Sequence, residues 1–351
     1  MGYFRSAIDM MTGYVPGEQP APGTKIVKLN TNENPYPPSP QVLEALKTID
    51  INYLRRYPDP LAKELCQAVS ETFQIPADWV IVGNGSDDIL NLLVRACAEG
   101  CDRKVVYPMP TYSLYKTLSA IQTAEVVEVP YLEKFQLPIK ELLTANGALT
   151  FIASPNSPSG HLVPLDDLCT LAQNTSGIVV IDEAYVDFAD SSALPLVQEF
   201  ENVIILRTLS KGYALAGLRV GFGIANPKLL SGLFKVKDSY NVDAISISLG
   251  AAAIRDQAYK NDRANQIKAS RAKLSVGLKQ LGFSVLKSHG NFVLATPKFH
   301  NAESLYLALK EHGILVRYFK QRGLDDKLRI SVGTEEENQI LINVLANLPR
   351  A

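Results

Sequence analysis

The chain has 351 residues, of which 46% are hydrophobic and 20% are charged, and its formal net charge is −1. This length and composition predict a globular protein with a large core, organised as one large domain and a smaller one. A nearly neutral chain without a long basic or acidic run lacks the charge pattern of proteins that bind nucleic acid or an anionic membrane. Because it also lacks an apolar run of about 20 residues and a signal-peptide core, we expect a cytoplasmic protein.

The four cysteines, Cys66, Cys97, Cys101 and Cys169, do not predict a metal site. Only Cys97 and Cys101 are close in sequence, and the helical pattern around them places the two about one turn apart. A zinc ion needs two more ligands, and the four histidines do not cluster with this pair. We therefore expect buried thiols and no bound metal.

The first 38 residues are rich in proline, glycine and asparagine, which predicts an extended arm. Ser39-Pro40 then indicates the start of a helix that runs to about Ile49, because serine caps helices and proline favours the first helical position. A Tyr-Pro-Asp-Pro turn at 57–60 precedes a second helix that ends near Phe73.

From Trp79 onward, short strand-like runs alternate with amphipathic helices. The runs have no polar alternation, which is typical of parallel strands buried on both faces. They lie at 79–83, 104–107, 124–129, 149–153, 177–181, 203–206 and 219–223. This pattern predicts an α/β fold whose mostly parallel sheet is covered by helices.

The pattern changes after about residue 245, where a long charged helix is predicted at 255–281. Shorter elements follow it, with strands that begin near Phe283, Asn291 and Leu328 and helices at 301–312 and 334–348. This mixture indicates a smaller α+β domain.

Several polar motifs directly follow the predicted strands, at the edge where open α/β sheets bind ligands. Gly83-Asn-Gly-Ser-Asp87 lies between a strand and a helix, where free backbone amides and a serine hydroxyl can bind phosphate. A strand-to-helix turn with Ser86 or Asp87 as the N-cap explains this motif equally well. Pro155-Asn156-Ser157 follows another strand, and Asn156 either presents its amide to a ligand or belongs to a plain turn.

Asp182 and Glu183 follow the apolar run Ile178-Val-Val-Ile181. Such a pair is also typical of the Walker B strand of ATPases, but the chain has no G-x-x-x-x-G-K-[ST] motif to accompany it. A buried carboxylate needs a cationic partner, and a protonated pyridine nitrogen would satisfy Asp182.

Lys211 follows the strand-like run Val203-Ile-Ile-Leu206 and has few charged neighbours in sequence. An uncharged environment lowers the pKa of a lysine and favours the neutral, nucleophilic amine that a Schiff-base lysine requires. The alternative is a lysine at a strand end with no chemical role.

Three arginines complete the candidate set. Arg219 would lie at the same sheet edge as Lys211, where it either binds phosphate or is a surface charge. Arg317 and Arg329 stand in otherwise apolar strands of the predicted small domain. Because Arg329 alternates with its apolar neighbours, a solvent-facing side chain is its alternative.

The order and spacing of these motifs resemble the pyridoxal-phosphate-dependent aminotransferases of fold type I, the aspartate-aminotransferase fold, and in particular the members that act on histidinol phosphate. The matching motifs run nearly from end to end and lie at 29–40, 56–60, 83–88, 110–112, 154–160, 182–185, 208–211, 216–219 and 328–334. The resemblance implies a large cofactor-binding domain over 31–250 with a mostly parallel central sheet. It further implies a smaller α+β C-terminal domain over 251–351 and an N-terminal arm, 1–30, that packs with the small domain.

The cofactor implied by the resemblance is pyridoxal 5′-phosphate. Lys211 would bind it as a Schiff base and, once released, transfer the proton, while Asp182 would pair with the ring nitrogen. Tyr112 would stack on the ring, and Asn156 and Tyr185 would hydrogen-bond its 3′-oxygen. The residues expected to hold the cofactor phosphate are Ser86, Asp87, Ser210, Arg219 and, from the neighbouring subunit, Tyr57. The last of these implies a homodimer with shared active sites.

The resemblance also implies a substrate site formed by Tyr14, Asn32, Arg317 and Arg329. It would bind the phosphate of histidinol phosphate and, in the second half-reaction with glutamate as product, the carboxylates of 2-oxoglutarate. The same reaction runs in reverse in histidine biosynthesis.

Other activities stay open at this point. An aromatic-amino-acid aminotransferase and a threonine-phosphate decarboxylase would share the lysine, the aspartate and the phosphate site. A non-catalytic regulator would need a DNA-binding segment, and no basic helix-turn-helix pattern precedes residue 30. Ser157, Ser159 and Gly212 stand where the family often has Asn, Thr and Ala, and we interpret these as conservative differences.

Overall fold

The computed structural model describes residues 2–14, 16–21, 23 and 26–349. Within these residues the strands are β1 (Val27–Lys28), β2 (Val80–Gly83), β3 (Val105–Met109), β4 (Val126–Pro130), β5 (Leu149–Ala153), β6 (Ile178–Asp182), β7 (Val203–Thr208), β8 (Gly221–Ala225), β9 (Phe283–Val285), β10 (Phe292–Pro297), β11 (Ile314–Leu315), β12 (Arg317–Tyr318) and β13 (Leu328–Ser331).

The α-helices of the same residues are α1 (Ser6–Met10), α2 (Pro40–Thr48), α3 (Lys63–Phe73), α4 (Ser86–Cys97), α5 (Leu114–Ile121), α6 (Ile139–Ala145), α7 (Leu165–Asn174), α8 (Leu196–Glu199), α9 (Pro227–Val236), α10 (Ala244–Arg255), α11 (Gln257–Gln280), α12 (Ala302–Glu311) and α13 (Glu335–Asn347). As predicted, α2 begins after Ser39, whose hydroxyl accepts a hydrogen bond from Gln41 N at 3.0 Å. None of the helices in the described residues is long and apolar enough to cross a membrane.

The large sheet has the strand order β2-β8-β7-β6-β5-β3-β4. The pairs β3–β4, β3–β5, β5–β6 and β6–β7 are parallel, whereas β8 is antiparallel to both of its neighbours. Every residue of β2, β5, β7 and β8 is buried, which explains why these strands show no polar alternation. The predicted mostly parallel sheet is therefore confirmed.

Helices cover both faces of the large sheet, because alternate residues of each strand point to opposite faces. Val179 and Ile181 of β6 pack on one side with α3, α7 and α10. Val180, between them, packs on the other side with α4, α5 and α9. The sheet thus forms the middle layer of three.

A smaller antiparallel sheet has the strand order β12-β13-β10-β9. Helices α11, α12 and α13 pack on it through apolar residues such as Ile267, Leu309 and Leu341. The predicted smaller α+β domain is confirmed, and its boundary near residue 250 stays a prediction.

The N-terminal arm contacts both parts of the fold. Helix α1 lies against α5, and Arg5 Nη2 donates a hydrogen bond to Ile121 O at 2.6 Å. Strand β1 pairs in parallel with β11, with Val27 opposite Ile314. Through this pair, the second half of the arm contacts the part of the chain that also contributes the small sheet.

Some local expectations were wrong. The N-cap of α4 is Gly85 rather than Ser86 or Asp87, and β8 begins two residues after Arg219. Since α4 ends at Cys97, Cys101 does not share that helix. Cys66 is buried as expected, whereas Cys101 is exposed, and Cys97 and Cys169 are half-buried.

Glu183 and Arg207 form a buried ion pair, with side chains only 2% and 10% exposed. Arg207 Nε and Nη2 donate to the same carboxylate oxygen at 3.0 and 2.8 Å. The other oxygen accepts from Ala193 N at 2.6 Å. The pair joins β7 to the segment that follows β6.

Replacing Arg207 by methionine should lower the free energy of unfolding by about 3–5 kcal/mol, because Glu183 would keep a buried charge without its counter-ion. Arg207→Met together with Glu183→Leu should cost less than the single change. The control is Lys228→Met, which breaks an ion pair with Glu201 whose side chains are 81% and 69% exposed and should leave stability nearly unchanged. Chemical denaturation measures each variant, and equal losses at the two pairs would contradict this expectation.

Candidate active site

A pocket lies at the carboxyl edge of the large sheet and is closed by residues of the arm and of the small sheet. It brings together most of the residues that the sequence singled out. Those that line it are Tyr14, Ser86, Asp87, Tyr112, Asp182, Tyr185, Ser210, Lys211, Arg219, Arg317 and Arg329. Asn32, Tyr57 and Asn156 do not line it.

Lys211 stands three residues after the end of β7, and its side chain is half-buried in the pocket wall. Its Nζ donates a hydrogen bond to Thr31 O at 3.0 Å and lies 5.7 Å from the centre of the Tyr185 ring. Burial lowers the pKa of Lys211, and the charge of Arg329 acts in the same direction, while Tyr185 opposes them. The environment therefore favours the neutral amine.

Asp182 is the last residue of β6, and only 5% of it is exposed. Its Oδ2 accepts a hydrogen bond from Tyr115 Oη at 2.8 Å, and its Oδ1 accepts one from Ala184 N at 3.0 Å. Burial raises the pKa of Asp182 to about 6, although these two hydrogen bonds act to lower it. Both donors are neutral, so the carboxylate can still pair with a cation in the pocket.

Tyr115 is a site residue that the sequence did not reveal. It is fully buried in α5, and its ring stacks on Phe151 with 4.7 Å between centroids. Its role depends on the contact with Asp182, which lies 67 positions further along the chain. No local motif marks such a contact.

A candidate anion site lies where β8 passes the start of α4. Arg219 Nη1 donates to Ser210 Oγ at 3.3 Å, and Nη2 lies 3.5 Å from Asp87 Oδ2. A side-chain carbon at Gly221 would lie 2.2 Å from Ser86 N, so only glycine lets β8 approach the helix start this closely. Unpaired amides at a helix start and a guanidinium together can hold a phosphate.

Two tyrosines stand in the pocket wall. Tyr112 Oη donates to Asp87 Oδ1 at 3.2 Å, and its ring meets Tyr115 edge-on with 5.7 Å between centroids. Tyr185 Oη accepts from Asn32 Nδ2 at 3.0 Å, and Asn32 Oδ1 accepts from Ser331 Oγ at 3.0 Å. Asn32 therefore orients Tyr185, and its predicted contact with substrate stays a prediction.

Asn156 is fully buried behind the pocket wall. Its Nδ2 donates to Pro110 O at 3.1 Å and to Ser159 Oγ at 2.7 Å, and its Oδ1 accepts from Thr111 Oγ1 at 2.7 Å. Ser159 Oγ in turn lies 2.7 Å from His161 Nδ1. The protein thus engages both ends of the Asn156 amide, and the neighbouring residues of its loop form the wall.

The small sheet contributes the second group of cations. Arg329 Nη1 donates to Ser157 Oγ at 3.1 Å and Nη2 to Asn30 O at 2.9 Å, while its buried Nε has no hydrogen-bond partner among the described residues. Arg317 Nη1 donates to Pro16 O at 3.3 Å. Arg329 faces the pocket, so the alternative of a solvent-facing side chain is wrong.

Tyr57 lies outside this pocket. Its side chain is 81% exposed and stacks on Tyr240, with 4.4 Å between ring centroids. Within one chain, Tyr57 is therefore not part of the pocket wall.

A layered α/β fold whose pocket combines a buried strand-end carboxylate, a lysine of lowered pKa and a candidate anion site is the arrangement expected of pyridoxal-phosphate-dependent enzymes of fold type I. Residues 24–345 match the family described as Aminotransferase class I and II, and the chain belongs to this family.

Its similarity to known members extends over the whole chain. Histidinol-phosphate aminotransferase 1 of Trichormus variabilis is 63% identical over 348 residues, which cover 99% of both sequences. Histidinol-phosphate aminotransferase of Microcystis aeruginosa is 42% identical over 344 residues, or 98% of each. Among solved structures, histidinol-phosphate aminotransferase from Sinorhizobium meliloti in complex with pyridoxal-5′-phosphate matches with a TM-score of 0.89, at 26% identity over 99% of both chains. The predicted family and fold are confirmed.

The raised pKa of Asp182 predicts a pH-dependent stability of the ligand-free protein. A carboxyl whose folded-state pKa is about 6 rather than 3.8 stabilises the fold at low pH, and this contribution is lost as the pH rises through about 6. Between about pH 4 and pH 7, Asp182→Asn should therefore gain roughly 3 kcal/mol of unfolding free energy relative to the wild type.

Tyr115→Phe is a second test, because it should raise the pKa of Asp182 further. It removes a hydrogen bond that lowers the pKa of Asp182, so the loss of stability should move to higher pH. Denaturation at a series of pH values measures all three proteins. Parallel pH profiles for the wild type and Asp182→Asn would show that this carboxyl is not responsible.

Proposed function

We propose that this protein uses pyridoxal 5′-phosphate to transfer the amino group of L-histidinol phosphate to 2-oxoglutarate, giving imidazole-acetol phosphate and glutamate. The observation that carries the proposal is the pair of cationic groups in one pocket, Arg219 from the large sheet and Arg317 with Arg329 from the small sheet. One suits the phosphate of a cofactor and the other the phosphate of a substrate. The names of the relatives support this assignment over an aromatic amino donor or a decarboxylation.

The residues present fit this cofactor. Ser86, Ser210 and Arg219 form a phosphate site, and the buried Asp182 carboxylate can pair with a protonated ring nitrogen. Lys211 supplies an amine of lowered pKa in the same pocket. Tyr112 offers an aromatic face. When bound, the cofactor supplies an electron-accepting ring.

The protein's own groups would then bind, orient and move protons. We assign proton transfer to Lys211 Nζ, which would accept the proton that leaves the amino-bearing carbon of the substrate and later donate it. Tyr185, held by Asn32, would present its hydroxyl to the pocket. Asn156 supports this wall through Thr111 and Pro110, and its predicted contact with the cofactor stays a prediction.

Substrate choice follows from the arginines. Histidinol phosphate has no carboxylate on its amino-bearing carbon, so its phosphate is the group that an enzyme can anchor. The two amino groups of Arg329 already bond to Ser157 and Asn30, which orients the guanidinium, and Nε has no partner among the described residues. In the second half-reaction the same cations, with Tyr14 beside them, would bind the carboxylates of 2-oxoglutarate.

Arg329→Ala should reduce kcat/KM for histidinol phosphate by about 100-fold or more, because it removes a charged partner of the phosphate, while the absorbance of the bound cofactor stays as in the wild type. Arg322→Ala is the matched control, since Arg322 is exposed in the loop between β12 and β13. The assay is single-turnover conversion of the cofactor with a series of amino donors. Carbon dioxide released from threonine phosphate, or a preference for aromatic donors, would overturn the assigned substrate.

A homodimer with shared sites belongs to the same proposal. The turn Ile51–Arg55 and helix α2 expose a group of large apolar side chains beside Tyr57, namely Leu43, Leu46, Ile51, Tyr53 and Leu54. Apolar surface of this kind marks an interface. If that interface joins two copies, Tyr57 of each could reach the phosphate site of the other. A cytoplasmic location stays a prediction.

Mixed dimers test this arrangement. Lys211→Ala dimers should lack activity and any borohydride-fixed cofactor, and Tyr57→Phe dimers should bind the cofactor more weakly, because a hydrogen bond to its phosphate is lost. Co-expression of the two variants should restore activity above the sum of the separate proteins, since one site of each mixed dimer has both native residues. If Tyr57 acts within its own chain, or not at all, mixing will restore nothing.

A further inference from the structure

The residue that follows the proposed catalytic lysine is in unusually close contact with an acidic side chain. A side-chain carbon at Gly212 would lie 2.2 Å from Asp187 Oδ2 and 2.4 Å from its Cγ. Such distances are far below van der Waals contact, so the Asp187 carboxylate occupies the space that a larger residue at this position would need. The glycine at 212 is therefore not the neutral difference from the family that the sequence suggested.

The Asp187 carboxylate is held in this place. Its Oδ1 accepts a hydrogen bond from Lys260 Nζ at 3.0 Å, and the two side chains are only 10% and 11% exposed. Asp187 lies in the short turn Val186–Phe188, whose flanking side chains are both buried. A buried ion pair of this kind cannot move aside without separating its charges.

Lys260 connects the pair to the small domain. It lies in the first turn of α11, and its Nζ stands 5.6 Å from the centre of the Tyr213 ring. The ion pair thus contacts both residues that follow Lys211.

The peptide is also held from the other side. Asn34 Nδ2 donates to Lys211 O at 3.0 Å and to Gly212 O at 3.3 Å. Asn34 Oδ1 accepts from Tyr36 N at 3.0 Å, which orients the amide. The main chain at 211–212 is therefore clamped between an amide and an ion pair.

We propose that Asp187 and Lys260 are positioning residues for Lys211, which fix the peptide after it and thereby the place where its Nζ accepts and donates the proton, and that Gly212 is required by this contact. The proposal rests on the proposed function of Lys211. Neither Asp187 nor Lys260 is proposed to contact cofactor or substrate.

The test is a set of variants read out on the cofactor bound to Lys211. Gly212→Ala should slow formation of the adduct that borohydride fixes by about tenfold or more. It should also move the pH midpoint of the absorbance of the bound cofactor before reduction. Gly217→Ala is the matched control in the same segment, because a side-chain carbon there meets nothing within 4 Å, and it should behave as the wild type. A Gly212→Ala variant that only melts at a lower temperature, with an unchanged midpoint, would overturn the proposal.

A second pair of variants separates crowding from charge. In an Asp187→Ala background, Gly212→Ala should cause little further loss, because the carboxylate that it meets is gone. In an Asp187→Asn background, which keeps the shape, the loss should be as large as in the wild type. Additive losses with Asp187→Ala would overturn the proposal.

If Gly212→Ala does not fold, Asp187→Asn alone tests whether the ion pair positions Lys211. It breaks the ion pair without adding volume and should move the absorbance midpoint, whereas an unchanged midpoint would refute positioning by this pair. The wild type shows whether a failure concerns the proposed function or only the positioning role of Asp187 and Lys260. A wild type that forms no adduct with pyridoxal phosphate removes the proposed function itself, while a normal wild type with unaffected variants removes only the role of Asp187 and Lys260.

Discussion

Parallel pairing of β5, β6 and β7 is the constraint on which the active site depends. Ala153 lies opposite Asp182, and Asp182 lies opposite Leu206, so the three strands end at nearly the same level. Because neighbouring strands are about 4.8 Å apart, the segments that leave them emerge side by side. One carries the wall around Asn156, one carries Asp182 itself, and one carries Lys211. The register of the sheet thus places these three segments next to one another, independently of contacts between the loops.

Two adjacent carboxylates at this edge have opposite electrostatic environments. Glu183 is neutralised within the protein by Arg207, at 2.8 Å, and contributes to stability. Among the described residues, the hydrogen-bond donors to Asp182 are the hydroxyl of Tyr115 and a backbone amide, and burial raises the pKa of this carboxyl. The fold therefore satisfies one charge internally, whereas the other carboxylate lines the pocket. This difference in partners, and not burial, which the two carboxylates share, is the reason to propose Asp182 rather than Glu183 as the partner of a cofactor.

The sequence was sufficient to predict the layers of the fold and the positions of the main polar groups. Buried parallel strands produce continuous apolar runs, and residues at the ends of such runs meet at one edge whatever their separation in sequence, which is why Asp182 and Lys211 could be singled out. Contacts made across the fold left no such signal. Tyr115 sits in an ordinary helical stretch, and nothing in its neighbours indicates Asp182.

The direction of individual side chains was also beyond the sequence. Asn32 and Asn156 both lie in motifs that the sequence singled out, but the amide oxygen of each accepts a hydrogen bond from a residue distant in the chain, Ser331 and Thr111 respectively. The sequence also could not show that a side chain at position 212 would collide with Asp187, because the two residues meet only in the folded chain. A motif gives the place of a residue along the chain, whereas its role depends on which neighbours fill the space around it.

The single antiparallel strand of the large sheet has a consequence for how the protein folds. Strand β2 pairs with β8 in this sheet, with Gly83 opposite Gly221, so the contact between β8 and the helix start at Ser86 joins segments that are far apart in the chain. Closing such a distant contact is slow, because its loop entropy is lost before the contact forms. We therefore expect the candidate phosphate site, which needs Ser86 and Arg219 together, to form late in folding. The capacity to bind an anion there would serve as a late reporter of folding.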